Sequence, residues 1–337
     1  MQPKFLLGMA LSMALQTVWS QTKPLSDTSL LAPTSLKEVV VSSQKFSEKY
    51  QRIAQQVDQI RSKNLLQLQP NVADVLTQSG KLFVQKSQQG GGSPVIRGFE
   101  ASRILLMVDG IRLNNAIYRA GHLQNVITID NMVLDRLEIL YGPSSTLYGS
   151  DALGGVVSMF TTDPKLSQSG KTEWHGAATL RYTSAIDEQR GNVQLHFSGK
   201  KWASFSSVTV GSFGDAIQGK NRRDAYPQFG RKDFLVQRVG NTDVVVPNPN
   251  PDQQVSSAFK QTDITQKILF QPNAKIKHLL NMQLSTSSDI PRYDRLTEKT
   301  SGLPAFAEWY YGPQERRLFA YQFSAKEQLG FFQDIKA

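Results

Sequence analysis

Two textures of hydrophobic patterning divide this chain. After Pro164, apolar and polar positions alternate with period two. Trp174, Gly176, Ala178, Leu180 and Tyr182 alternate with Glu173, His175, Thr179 and Arg181. Val193, Leu195 and Phe197 alternate with Asn192, Gln194, His196 and Ser198, and the pattern returns over Lys275–Leu284 and Arg317–Gln328. Less regular strands are expected over Trp202–Ser212 and Phe259–Phe270. Segments of about ten residues with this period are the mark of transmembrane β-strands, although strands of a soluble sandwich alternate too. The connections favour the membrane reading. Gly199–Lys201 and Pro272–Ala274 are tight turns, whereas Phe213–Ser257 and Ser287–Arg316 are long. Short and long connections alternate in outer-membrane barrels. Ala185–Gln189 departs from that rule, being short where a long loop is expected.

The stretch before residue 160 reads differently, as short strands and helices punctuated by glycine. Val57–Leu68 is mixed, with a strand opening at Asp58-Gln-Ile60. Asn71–Gly80 is a short amphipathic helix that places Val72, Val75 and Leu76 on one face and stops at Gly80. Lys81–Lys86 reads as a strand. Ile104–Val108 is a wholly apolar strand, and Asp109-Gly110 is a strong tight-turn signal. Ile129–Leu134 has helical spacing. Arg136–Leu140 is a strand, Ser144–Tyr148 one helical turn, and Gly154–Phe160 a strand after a double glycine. Residues 44–160 are therefore expected to form a small α+β domain.

At the front of the chain, Lys4 precedes an apolar run, Phe5–Val18, too short to span a bilayer; this order reads as a signal peptide over residues 1–20. Residues 21–43 read as a linker. Within it, Leu36–Ser43 carries Val39, Val40 and Val41, a run that favours an extended strand able to add to another protein's sheet edge. The chain has no cysteine, which excludes a disulfide scaffold, a thiolate metal site and a cysteine nucleophile. Its net charge of +10 raises nucleic-acid binding, but the Lys and Arg are scattered and form no basic patch with interleaved aromatics. No paired carboxylates or activated nucleophile stand out, so an enzyme is not expected.

Val95-Ile-Arg-Gly-Phe99, Leu106-Met-Val-Asp-Gly-Ile111 and Leu137–Val156 resemble, in order and spacing, the plug domain of TonB-dependent outer-membrane receptors. Leu36–Val41 resembles a TonB box. The resemblance implies an α+β plug, residues 44–160, followed over residues 165–337 by the first part of an antiparallel transmembrane β-barrel. The family's barrel has 22 strands, wide enough to be plugged. The sequence supplies about six strands and ends at Lys336-Ala337, so a C-terminally truncated, incomplete barrel is expected. The implied location is the outer membrane, in contact with its lipid. The implied partner is TonB with an inner-membrane energy source, engaged through Glu38, Val39, Val40 and Val41.

Asn114–Asp130, with Gly121-His122-Leu123, resembles the corresponding region of haem and haemoglobin receptors, as do Asp289–Glu298 and Ala307–Gln314. Haem or a haemoprotein is then the expected ligand, transported and not permanently bound. His122 is the candidate ligand of the haem iron and Tyr118 a second. A siderophore or vitamin B12 is the alternative cargo, and a soluble exported β-sandwich for binding or adhesion is the alternative of another class. Arg97, Arg136 and Glu138 are candidates for pairing with barrel-wall charges, because buried charges in a lumen need partners.

Overall fold

In the computed structural model of the chain, the residues described are 40–41, 48–49, 55–61, 68–100, 103–113, 126–326 and 335–336. Strand β1 (Val40–Val41) pairs antiparallel with β2 (Glu48–Lys49). The next elements are β3 (Val57–Ile60), α1 (Val72–Gln78), β4 (Phe83–Gln85), β5 (Ser93–Val95), β6 (Ile104–Val108), β7 (Ile111–Arg112), β8 (Leu134–Tyr141), α2 (Ser145–Tyr148) and β9 (Gly155–Thr161). Five of these strands form one sheet in the order β3-β8-β9-β6-β7. All its pairings are antiparallel except β6 with β9.

Every residue of β6 is buried, which explains its uninterrupted apolar sequence. Successive side chains go to opposite faces. Ile104, Leu106 and Val108 pack with Val157, Met159, Leu137 and Ile139 against Val72, Val75 and Leu76 of α1. Leu105 and Met107 pack on the other face with Val57, Leu140 and Val156. Helix α1 starts where expected. The Asn71 side chain accepts from the Asp74 amide at 3.0 Å, a cap contributing about 1 kcal/mol, and Gly80 turns the chain away at φ 66°. At the junction of α2 and β9 a side chain has no room, since a Cβ on Gly154 would lie 2.4 Å from that of Phe99. Residues 131–133, expected as part of a helix, form one 3₁₀ turn before β8, since Met132, Val133 and Leu134 all enter the interior.

The second half is a wall of long strands: β10 (Glu173–Thr183), β11 (Glu188–Ser198) and β12 (Trp202–Phe213). An excursion follows with β13 (Ala216–Ile217), the hairpin β14 (Phe234–Val239) and β15 (Thr242–Pro247), and β16 (Gln253–Gln254). Then come β17 (Phe259–Phe270) and β18 (Ile276–Ser287). A second excursion holds β19 (Ile290–Pro291), β20 (Lys299–Thr300), β21 (Leu303–Pro304) and β22 (Tyr310–Tyr311), before β23 (Glu315–Ala325) and β24 (Ile335–Lys336). The wall runs β10-β11-β12-β17-β18-β23-β24, each strand antiparallel to the next, as an open sheet. Both excursions leave from the same end, and the turns 199–201 and 271–275 lie at the other.

The wall is inside out relative to a soluble protein. Many of its apolar residues face away from the α+β domain; Leu180 is 90% exposed, and Trp174, Val193 and Phe319 are also open, while Phe205, Phe213, Phe259, Leu269 and Leu279 are buried on the inner side. Its polar residues face the domain and are buried; Asn281 is 0% exposed, and Glu188, Asn192, Thr209 and Lys267 are covered with it. An outward row of open apolar side chains on strands of this length suits lipid. At the short-turn end, outward aromatics form a row. Trp174 packs on Phe197 at 4.8 Å, Trp202 stacks on Phe270 at 4.2 Å, and His278 Nδ1 hydrogen-bonds Tyr321 Oη at 2.7 Å. Aromatic girdles at the water boundary have this composition. No helix among the described residues is long and apolar enough to cross a membrane.

Candidate functional site

The domain meets the wall along a largely polar seam, with an apolar patch where Ile127 packs with Phe213 and Phe259, and Asp109 is its hub. Asp109 and Gly110 form the two-residue turn between β6 and β7, with φ of 50° and 83°. Left-handed values at both positions define the hairpin turn for which Asp-Gly is favoured. The turn presents the carboxylate to two elements. Within the domain, Oδ1 accepts from the Thr161 amide at 2.8 Å and Oδ2 from its hydroxyl at 2.7 Å. From the wall, Asn281 Nδ2 donates to Oδ2 at 2.9 Å and Gln283 Nε2 at 2.8 Å. Lys267 Nζ lies 3.2 Å from the same oxygen and 2.8 Å from Asp163 Oδ1, and its side chain is 1% exposed. Gln322 Nε2 closes the contact on the Asp109 carbonyl at 3.2 Å. Period two in β18 explains the donor pair, since Asn281 and Gln283 are two apart and share the inward face.

A second cluster forms around Asp130 and Asn131. Asp130 accepts from the Met132 amide at 2.9 Å and from Thr209 Oγ1 at 2.6 Å. Arg190 Nη1 donates to Asn131 Oδ1 at 2.9 Å, and its Nη2 to the Pro70 carbonyl. Arg181 Nη1 reaches the Gln69 carbonyl at 2.7 Å, and both arginines pair with the buried Glu188. Gln194 Nε2 donates to the Met132 carbonyl at 3.0 Å, and Arg316 holds the Thr128 carbonyl from Nε and Nη2 at 3.1 and 3.0 Å. Burial pushes the Asp130 carboxyl above its ordinary value, while Arg190, Thr209 and the Met132 amide pull the other way.

The candidate contact residues Arg136, Glu138 and Arg97 make bonds within the domain. Arg136 Nε pairs with Glu138 Oε1 at 2.8 Å, inside the domain's own sheet, and its guanidinium lies 3.9 Å from the centre of the Phe160 ring. Gln59 Nε2 adds a hydrogen bond to Glu138 at 3.1 Å. Arg97 donates to Gln56 Oε1 at 3.3 Å and lies over the Tyr141 ring. The bonds to the wall described above come from other residues. Val40 and Val41 are extended, as the sequence suggests, and pair with Lys49 and Glu48. Glu38, Val39, Tyr118 and His122 lie outside the described residues, as does the leader expected over residues 1–20. Among the described residues no group of three or more acidic or histidine side chains is arranged to hold a metal ion.

Comparison with known proteins fits this geometry. Residues 49–156 match the family model of the TonB-dependent Receptor Plug Domain. A stretch of 138 residues is 33% identical to the vitamin B12 transporter BtuB of Vibrio vulnificus, covering 40% of this chain and 20% of that protein. Three solved structures share the fold. The copper transporter OprC superposes with a TM-score of 0.57 at 12% identity, over 83% of this chain and 36% of its own. The siderophore receptor PirA of Acinetobacter baumannii gives 0.53 at 16% identity, over 83% and 38%. The ferric enterobactin receptor PfeA of Pseudomonas aeruginosa gives 0.52 at 12%, over 82% and 39%. The chain thus spans well under half the length of each of these proteins.

Proposed function

We propose that this chain is part of an outer-membrane TonB-dependent receptor that binds a scarce nutrient outside the cell and imports it with energy from the inner membrane. The observation that carries the reading is the wall's inverted surface, apolar outward and polar inward, with the plug-like domain bonded to the polar side. The seam's chemistry supports a domain that both seals and moves. A seam of hydrogen bonds is exchanged for bonds to water when the surfaces part, at a net cost of about 0.5–1.5 kcal/mol per bond, whereas an apolar interface would expose its whole area. Pulling on the chain near Val39–Val41 would displace the domain bond by bond. TonB is the partner this requires, pairing with Glu38–Val41 by strand addition.

The cargo is proposed from two directions. Similarity to a vitamin B12 transporter and the fold shared with siderophore receptors support a corrinoid or ferric siderophore. The Gly121-His122-Leu123 stretch supports haem, with His122 on the iron and Tyr118 beside it. One experiment tests the function and sorts the cargo. Cells relying on this receptor are given cyanocobalamin, a ferric siderophore or haem, with and without deletion of Glu38–Val41. Energised uptake of one cargo, lost in the deletion while surface binding persists, is the expected result. Uptake that survives the deletion would refute the coupling. A haem spectrum and affinity unchanged by His122→Ala would remove haem.

A further inference from the structure

The two excursions from the wall hold a buried cation that their other charges leave uncompensated. Four arginines here are matched: Arg238 pairs with Asp243 at 2.5 Å, Arg292 with Asp294 at 2.8 Å, Arg295 with Glu298 at 2.7 Å, and Arg222 with Asp252. Lys232 is not. It is 7% exposed, and no carboxylate or hydroxyl among the described residues bonds its ammonium. Instead Nζ lies 5.0 Å from the ring centre of Phe234 and 5.3 Å from that of Tyr293. Lys299 Nζ, from the other excursion, lies 4.8 Å from the same Phe234 ring, so the two ammonium groups are less than 10 Å apart. The adjacent Asp233 has a 76% exposed side chain and pairs with Arg231 at 3.9 Å. Burial alone pulls the Lys232 amine below the usual lysine range.

Lys232 also lines a cavity of about 80 Å³ whose other walls include Leu235, Val236, Leu296 and Phe306. That volume suits one small group, not a drug-sized molecule of roughly 300–1,000 Å³. Face-on aromatic rings offset part of the cost of burying an ammonium, but its N–H donors still need an acceptor. An anionic oxygen group supplies both the missing acceptor and the missing charge.

We infer that Lys232, with Lys299 nearby, forms a binding site for a carboxylate carried on a short apolar arm of an external ligand. The carboxylate takes the Lys232 ammonium, and Lys299 adds its field. The arm enters the cavity between Leu296 and Phe306. That this ligand is the cargo rests on the transport reading; the existence of the site does not.

The test uses the protein in detergent micelles, with its lysines ¹³C-methylated and followed by NMR during titration with sodium butyrate or with butyramide. One lysine resonance should shift and saturate with butyrate, be absent in Lys232→Met, and respond at least tenfold more weakly to butyramide. Equal binding of butyramide, or saturation by butyrate in Lys232→Met, would each overturn the proposal. The assay involves neither TonB nor uptake, so its failure is distinct from failure of the transport reading.

Discussion

Replacing Lys267 by methionine removes the cation from the seam while keeping an unbranched side chain of similar length. Lys267 is 1% and Asp109 8% exposed at the side chain, so the substitution leaves a covered carboxylate without its counter-ion. Breaking a buried pair from one side costs about 3–5 kcal/mol. Asp109 keeps four neutral donors, from Thr161 twice, Asn281 and Gln283, which places the expected loss near the lower end, about 3 kcal/mol. Asp109→Asn is milder. Asparagine tolerates φ of 50°, and Lys267 retains Asp163, so about 1–2 kcal/mol is expected. The double variant has neither charge stranded and should lose less than the sum of the singles, with coupling of about 1–3 kcal/mol. Urea unfolding in detergent, paired with amide exchange at Thr161, measures all three. Exchange at Thr161 should rise most in Lys267→Met. A Lys267→Met protein as stable as the parent, or single losses that simply add, would refute the assignment of the seam to this pair.

Two further outcomes are expected. Asp130 has its carboxyl raised by burial, with Arg190 and Asp263 as the charged wall groups near it. The folded state then holds its proton at pH values where the unfolded chain has lost it, so stability falls as pH rises from about 4 through the raised value. Asp130→Asn should remove that slope, and its unfolding midpoint relative to the parent should improve between pH 4 and pH 8; a constant difference would argue against it. Trp174 and Trp202 face outward in the aromatic row, at 62% and 52% exposure. Their fluorescence should be quenched by lipids brominated near the headgroup and much less by aqueous iodide, and the reverse would place the wall's outer face in water.

Most elements were legible because each carries a local signal. The period-two alternation marked the wall strands, Ile104–Val108 marked the central strand, and Asp109-Gly110 marked its turn. The hairpin β14–β15 also had a signal, Gly240-Asn241 between two β-rich runs, inside what reads as one long loop. Residues 129–134 misled because burial of Met132, Val133 and Leu134 imitates helical spacing in a turn that enters a strand. The seam was not legible. Asp109 reads as a turn residue, and its wall partners Lys267, Asn281 and Gln283 lie more than 150 positions away; nothing local distinguishes it from any Asp-Gly turn. Arg136 and Glu138, two apart on one strand, share a face and satisfy each other, which period two alone would have indicated.

The chain has no cysteine, so within it a thiol-specific reagent can join only two introduced thiols. Asp130 and Thr209 face each other across the seam through short side chains, with Oδ2 and Oγ1 2.6 Å apart. Bridging Asp130→Cys to Thr209→Cys with a short cross-linker ties the plug-like domain to the wall. Cells carrying the bridged receptor should bind cargo at the surface and fail to import it, while either single variant given the same reagent imports normally. Import at the parental rate through the bridged protein would contradict a transport mechanism in which this seam must open.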